Sequence, residues 1–325
     1  MEHILVLVPF DASYRERTKS IAGDTNKVVF LDSDWDRAAY VAQLGKASVV
    51  LGDPAPDDVP LLGKLRLHQT TWAGIEHYAT QKECYRDAVL CNMTGAYGPA
   101  IAEYCIGVIL SMYLRLPGYW AAQQNAEWIQ PLRSKTLEGT TALILGAGDI
   151  GGALAKRLRP FVQKIIGVRR NAEEALDDFD EMHALDALDH LLPQADIVAC
   201  CLPDTPATRG LFGAKRFLRM RADAVFVNIG RGNLIDADAL YDVLERGHLW
   251  GAVLDVTVPE PLPHTHALWR QPRALITPHI SGNAFGSGSP TERRIWDLCL
   301  RNLENYLQNK PLENVVDFST GYRAH

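Results

Sequence analysis

Residues 141–151 read Thr141-Ala142-Leu143-Ile144-Leu145-Gly146-Ala147-Gly148-Asp149-Ile150-Gly151. A strand-like apolar run leads into a G-x-G-x-x-G loop, and the pattern then turns helical through residue 158. Glycines at this spacing serve a tight turn, the approach of backbone N–H groups to a pyrophosphate, and close helix–strand packing. Alone, such a loop is ordinary turn chemistry. Between a strand and a helix it predicts dinucleotide binding by Gly146, Gly148, Asp149, Ile150 and Gly151.

Downstream, five more β-rich runs follow at 164–168, 196–202, 224–229, 251–256 and 274–277, several separated by helical segments such as 214–219 and 237–245. With 141–145 they make six strands, the size of a doubly wound dinucleotide domain. Upstream, runs at 4–8, 27–31, 47–51, 65–70 and 88–92 enclose helices expected at 14–22 and 34–44, which predicts a second parallel α/β sheet. An apolar helix starts at Pro99 and is expected to close at Pro117; its uncharged run, 104–114, is too short to cross a bilayer. A last amphipathic helix is expected at 290–307, with Ile295, Leu298, Cys299, Asn302, Leu303 and Tyr306 on one face. No strand is expected after it, so it must dock on a layer already built.

The chain has 325 residues, enough for about two domains, and its 47% hydrophobic and 22% charged residues exclude disorder. Its net charge of −6, without basic blocks, argues against nucleic acid or an anionic membrane as partner. The N-terminus lacks a basic n-region and reads as a first strand, not a signal peptide. Six cysteines without a C-x-x-C pair read as free thiols in a reducing cytoplasm. His264-x-His266 has no third ligand nearby, so no metal is expected.

The end of the second cofactor strand selects between dinucleotides. An acidic residue there would bond the ribose hydroxyls, whereas Arg169 and Arg170 suit the 2′-phosphate of NADP(H). One charge-assisted hydrogen bond, about 1.5–3 kcal/mol, shifts that preference about 10- to 100-fold.

Ligands of open parallel sheets bind beyond the carboxyl ends of the strands. Three charged residues emerge there: Arg231 in Gly230-Arg231-Gly232, Glu260 in Pro259-Glu260-Pro261, and His279 in Pro278-His279-Ile280. Individually, each is most simply a surface or turn residue. Jointly they match the reduction of a 2-oxo acid, which needs a cation for the carboxylate and carbonyl (Arg231) and a proton donor for the developing alkoxide (His279). Glu260 beside His279 would fix its tautomer and favour the imidazolium.

Taken together with Cys201-Leu202-Pro203-Asp204-Thr205-Pro206-Ala207-Thr208, Leu254-Asp255-Val256 and Thr277-Pro278-His279-Ile280-Ser281-Gly282, these motifs resemble the D-isomer-specific 2-hydroxyacid dehydrogenases over nearly the whole chain. The resemblance implies a glyoxylate/hydroxypyruvate reductase-like enzyme with Arg231, Glu260 and His279 as its catalytic residues. It implies a flavodoxin-like substrate domain, 1–96 with 289–325, interrupted by a Rossmann domain, 97–288. It further implies that Asp255 holds the nicotinamide carboxamide, that Leu202, Pro203, Thr208, Ile229, Gly230, Arg231, His279 and Gly282 border the cofactor, and that the substrate is bound by Arg231, His279 and the backbone amides in Trp72-Ala73-Gly74, which take its carboxylate. The helix 98–116 resembles the family's dimerisation element, which implies a homodimer. Trp128 follows it, in the stretch where some reductases send a Trp into the partner's site. Arg169 departs from the usual acidic residue and looks like the NADP(H)-preferring reductases; Glu260, where the related formate dehydrogenases use Gln, argues against formate. Two alternatives are an NAD-dependent D-2-hydroxyacid or phosphoglycerate dehydrogenase, and a nucleotide-sensing corepressor of the same fold.

Overall fold

Short apolar runs bounded by turns assemble into two separate parallel sheets in the computed structural model, which describes residues 1–31, 35–170, 172, 175–282, 288–318 and 322–323. The elements run β1 (His3–Val6), α1 (Ala12–Ala22), β2 (Lys27–Phe30), α2 (Arg37–Leu44), β3 (Val49–Leu51), β4 (Leu67–Gln69), α3 (Glu76–Ala79), β5 (Val89–Cys91), α4 (Gly98–Tyr113) and α5 (Leu116–Gln124). There follow β6 (Thr141–Leu145), α6 (Asp149–Leu158), β7 (Lys164–Val168), β8 (Glu181–His183), α7 (Leu188–Leu191), β9 (Ile197–Cys200), α8 (Ala214–Arg219) and β10 (Val225–Asn228). The chain finishes with α9 (Ala237–Glu245), β11 (Gly251–Leu254), β12 (Ala274–Ile276), α10 (Pro290–Leu307), β13 (Val316–Asp317) and β14 (Tyr322–Arg323). It divides into two units, Met1–Tyr97 with Ala284–His325, and Gly98–Asn283.

In the first unit the sheet order is β2-β1-β3-β4-β5, all parallel, the 2-1-3-4-5 order of flavodoxin-like folds. Leu5, Val50 and Leu90 from the strands meet Leu44, Ile75 and Tyr78 in its core. Helix α10 joins this unit. Ser289 caps it by accepting from the Glu292 N–H at 3.1 Å, Pro290 sits in its first turn, and Trp296 packs edge-on against Tyr14 at 4.8 Å. Buried Asn302 donates to Gln69 Oε1 at 2.5 Å and to the Glu313 carbonyl at 2.9 Å, tying the helix to β4 and the C-terminal tail.

In the second unit the order is β12-β11-β10-β9-β6-β7-β8, again all parallel. Counted from β6 it is the 3-2-1-4-5-6 order of dinucleotide-binding sheets with a seventh strand added, and the order reverses between β6 and β9. Phe212, Phe217 and Phe226 fill one face with ring centroids 5.0–5.5 Å apart. Helix α4 packs along α6. The expected architecture of two parallel-sheet α/β domains, one of them a Rossmann fold, is the one observed.

Four expectations need correction. The cofactor sheet has seven strands, not six, because β8, Glu181-Met182-His183, is short, polar at both ends and half-buried, and so leaves no apolar signal. The helix expected to run to Pro117 is two helices bent by 72°. Arg115 adopts a left-handed φ of 60° and breaks it, while Pro117 opens α5 instead of closing α4. Strands do follow α10, in the antiparallel β13–β14 pair. Helix α2 is capped by Asp36 and begins at Arg37. The expected start at Asp34 lies outside the described residues, as does Asn171. Among the described residues no single helix is long and apolar enough to cross a membrane.

Candidate active site

Successive loops at the carboxyl edge of the second sheet touch one another through their main chains. Gly146, at φ 97°, ends β6, and a Cβ there would lie 2.9 Å from the Cys201 carbonyl oxygen after β9. A Cβ on Gly151 would lie 2.2 Å from the Gly146 carbonyl oxygen, so α6 starts hard against the turn. One on Gly230, after β10, would come within 2.3 Å of the Leu202 carbonyl oxygen, and one on Gly232 within 2.1 Å of the Thr257 carbonyl carbon after β11. Only glycine allows these approaches. Gly148 differs: it caps α6, is exposed, and a Cβ there meets nothing within 4 Å. Open space before a helix N-terminus that lacks a side-chain cap is where a pyrophosphate fits, so the glycine loop suits a dinucleotide.

Asp255, 1% exposed, carries this contact on to the last loop. Its Oδ1 accepts from Thr277 Oγ1 at 2.6 Å and from the Ile280 N–H at 2.9 Å, and its Oδ2 accepts from the Ser281 N–H at 3.0 Å. The His279 N–H donates to the Asp255 carbonyl at 2.9 Å. His279 itself sits at φ 53°, a left-handed conformation that costs a non-glycine residue about 1–2 kcal/mol. The Asp255 carboxylate and carbonyl hold the turn around it.

His279 Nδ1 lies 2.7 Å from Glu260 Oε1. A carboxylate only accepts, so Nδ1 carries the proton of this bond and Nε2 is the ring atom left for other chemistry. Both side chains are about half exposed, 47% and 44%, so the pair contributes little to stability and serves orientation. Arg231 leaves β10 in extended conformation, and its Nη1 donates to the Gly230 carbonyl at 2.7 Å. Fully buried Asn228 fixes that turn, donating to the Arg231 carbonyl at 2.9 Å and accepting from the Gly230 N–H at 3.2 Å. Because Gly232 abuts Thr257, the turn bearing Arg231 and the segment leading to Glu260 are neighbours.

Around this edge, Arg169 directly follows β7 and is half-buried, while Arg170 is exposed. Thr208 accepts from the Thr205 N–H at 2.9 Å and donates to the Pro203 carbonyl at 2.6 Å, which closes the turn after Leu202. Ile229 is buried, and Gly282 follows the Asp255-held turn. Burial pushes the neighbouring Cys201 thiol up to about 12, so it stays protonated at neutral pH and is no nucleophile.

In the first unit, Trp72 is 49% exposed at the carboxyl end of β4. Its N–H is taken by Thr70 Oγ1 at 3.1 Å, and the Ala73 carbonyl accepts from Asn92 Nδ2 at 2.9 Å. Of the three amides expected to bind an anion, those of Ala73 and Gly74 therefore remain as donors.

Four further residues, three holding the second unit's loops and one holding the first unit's, were not singled out from sequence. Asn228 and Thr277 lay inside quoted motifs, and a buried polar residue ending a strand was the available signal. Tyr104, whose phenol reaches Thr277 at 2.5 Å, and Asp53, which accepts from the Thr70 and Thr71 hydroxyls, gave no local signal. Among the described residues no group of three or more His, Cys, Asp or Glu is placed to hold a metal ion.

Residues 106–281 match the family model of the D-isomer specific 2-hydroxyacid dehydrogenase, NAD binding domain. The chain is similar to the human glyoxylate reductase/hydroxypyruvate reductase, at 34% identity over 258 residues, 76% of each chain. A solved D-isomer specific 2-hydroxyacid dehydrogenase family protein from Aeromonas salmonicida is 33% identical, with a TM-score of 0.85 over 98% of this chain and 99% of that one. An NADPH-dependent glyoxylate/hydroxypyruvate reductase from Sinorhizobium meliloti, solved with NADP and sulfate, is 25% identical, with a TM-score of 0.81 over 99% of this chain and 100% of that one.

Proposed function

The chain belongs to the D-isomer specific 2-hydroxyacid dehydrogenases, a nicotinamide-dependent family, and we propose that it reduces a small 2-oxo acid of the glyoxylate or hydroxypyruvate kind to the D-2-hydroxy acid with NADP(H). The observation that carries this reading is the His279–Glu260 pair at 2.7 Å, on the same sheet edge as the glycine loop. The unit Gly98–Asn283 is the cofactor domain in this reading, and Met1–Tyr97 with Ala284–His325 the substrate domain.

The bound nicotinamide supplies a hydride to the carbonyl carbon. The amides at Gly146–Gly151 hold the pyrophosphate, and Arg169 and Arg170 hold the 2′-phosphate. Arg231 binds the substrate carboxylate and polarises the carbonyl, with the Ala73 and Gly74 amides as further carboxylate donors. His279 delivers its Nε2 proton to the developing alkoxide, and Glu260 holds Nδ1 so that the ring presents Nε2. Asp255, Leu202, Pro203, Thr208, Ile229, Gly230 and Gly282 border the cofactor. The likeness to an NADPH-dependent reductase from Sinorhizobium meliloti supports the cofactor choice.

Trp120 and Trp128 are exposed at 53% and 102% within and after α5, apolar surface that suits a second copy of the chain. Light scattering would then report a dimer.

Initial rates for a panel of 2-oxo acids with NADPH and NADH test the enzyme reading. Reduction of glyoxylate or hydroxypyruvate is expected, with a kcat/KM ratio for NADPH over NADH above one. Arg169→Asp should lower that ratio about 10- to 100-fold. A ratio below one overturns the NADP(H) assignment, and no turnover with any acid overturns the enzyme.

A further inference from the structure

The Asp255 cradle is itself anchored from outside its own loop. Thr277 Oγ1 lies 2.6 Å from Asp255 Oδ1 and 2.5 Å from the Tyr104 phenol oxygen on α4. Either oxygen of the Tyr104–Thr277 pair could donate on distance alone. The carboxylate decides, because it only accepts. Thr277 therefore gives its single proton to Asp255 and must accept from Tyr104, so the chain runs Tyr104 O–H to Thr277 O–H to Asp255. Burial raises the Tyr104 phenol above its ordinary range, which keeps that proton in place at neutral pH. A donor that is itself polarised by an incoming hydrogen bond binds its own acceptor more strongly.

A carboxylate offers about four acceptor positions. On Asp255 three are taken, by Thr277 Oγ1 and by the Ile280 and Ser281 N–H groups. Those two amides follow His279 directly, and His279 holds the left-handed backbone of that turn. Tyr104 stands on a 16-residue helix packed along α6, whereas residues 278–280 are exposed. The chain thus connects a rigid element to an exposed turn.

We infer that Tyr104 is a positioning residue: through Thr277 it orients the Asp255 carboxylate, which holds the turn bearing His279 and keeps one acceptor position for a donor of the bound cofactor. The inference rests on reading the site as a dehydrogenase, and it adds a residue outside every motif of that reading.

Tyr104→Phe and Thr277→Val each cut the chain, while Thr277→Ser keeps the hydroxyl. Hydrogen exchange on the cofactor-free protein should show the Ile280 and Ser281 amides exchanging about 10-fold faster in Tyr104→Phe and Thr277→Val, with the rate restored in Thr277→Ser. At saturating NADPH, kcat should fall about 10-fold with KM for the 2-oxo acid changed less than about 2-fold, and the double variant should be no slower than Thr277→Val alone. Unchanged exchange in Tyr104→Phe overturns the inference. Faster exchange with unaltered kcat also overturns it, since the residue would then be structural only. If the wild-type protein reduces no 2-oxo acid, the dehydrogenase reading fails by itself, and the exchange rates still decide whether Tyr104 holds the turn.

Discussion

The two parallel sheets build their carboxyl edges with a different balance of main-chain and side-chain contacts. In the second unit, loops meet main chain to main chain, and a Cβ at Gly151, Gly230 or Gly232 would come within 2.1–2.3 Å of a neighbouring backbone atom. In the first unit one main-chain approach recurs, at Gly52, where a Cβ would lie 2.9 Å from the Val8 backbone nitrogen, but polar side chains do most of the joining. Asp53 accepts from the Thr70 and Thr71 hydroxyls and from the Thr71 N–H at 3.1 Å; Tyr97 donates to the Thr71 carbonyl at 2.7 Å; Gln69 Nε2 donates to the Thr70 carbonyl at 3.0 Å. A phosphate-sized anion is best bound by several N–H groups at once, and side chains between the loops would keep it away. A clamped edge instead fixes one loop while its outward side chain, here Trp72, stays exposed.

The largest expected effect separates chemistry from this framework. His279→Ala should lower kcat about 10³-fold while leaving NADPH affinity within about 2-fold. A loss under about 10-fold would place the proton donor elsewhere. Next come the glycines. Gly232→Ala must displace the Thr257 backbone and should cost about 3 kcal/mol in denaturant unfolding. Gly148→Ala, with open space around it, should leave stability within about 0.5 kcal/mol yet weaken NADPH binding about 10-fold or more. Equal stability of the two variants would remove the distinction between packing glycines and ligand-facing ones.

In the clamped unit, Gln69→Leu strands the Asn302 donor and the Thr70 carbonyl, the Cys91 carbonyl keeping the Thr70 N–H, and should cost about 2 kcal/mol, read by the denaturation midpoint, with NADPH affinity unchanged. Altered affinity would mean that the two edges are not independent.

The smallest effect is a pH dependence. His68 is fully buried, and because the Gly52 carbonyl only accepts, Nε2 donates to it at 2.8 Å while Nδ1 accepts from the Tyr85 hydroxyl at 2.8 Å. Burial lowers its proton affinity, so below its ordinary value of 6.5 the unfolded chain binds a proton that the folded one does not. Stability therefore falls as pH drops below about 6.5 and is retained above it. The melting temperature of His68→Gln should be flatter between about pH 5 and 7 than that of the wild type, and parallel curves would refute this.

The glycine loop was legible because its requirements are local: an apolar run, a turn and a helix start are contiguous in the chain. Arg231, Glu260 and His279 could be picked as candidates because each follows its strand closely and strand ends share an edge. β8 was not legible, since three half-buried residues carry no periodicity, and neither was the break at Arg115, where a long basic side chain occupies the left-handed region that usually signals glycine. The capture of the Trp72 N–H by Thr70 depends on a rotamer that composition does not specify.

Sequence by itself determined the apolar strands, where the backbone must be bare, and which charged side chains leave the sheet at its carboxyl ends, because each depends on near neighbours in the chain. Tertiary structure alone decided which of those groups act on one another. Tyr104 and Thr277 are 173 residues apart, and Asn302 and Gln69 are 233 apart. Such pairs exist only once strand order and helix docking bring them within 3 Å, the range in which a hydrogen bond's direction and energy are set.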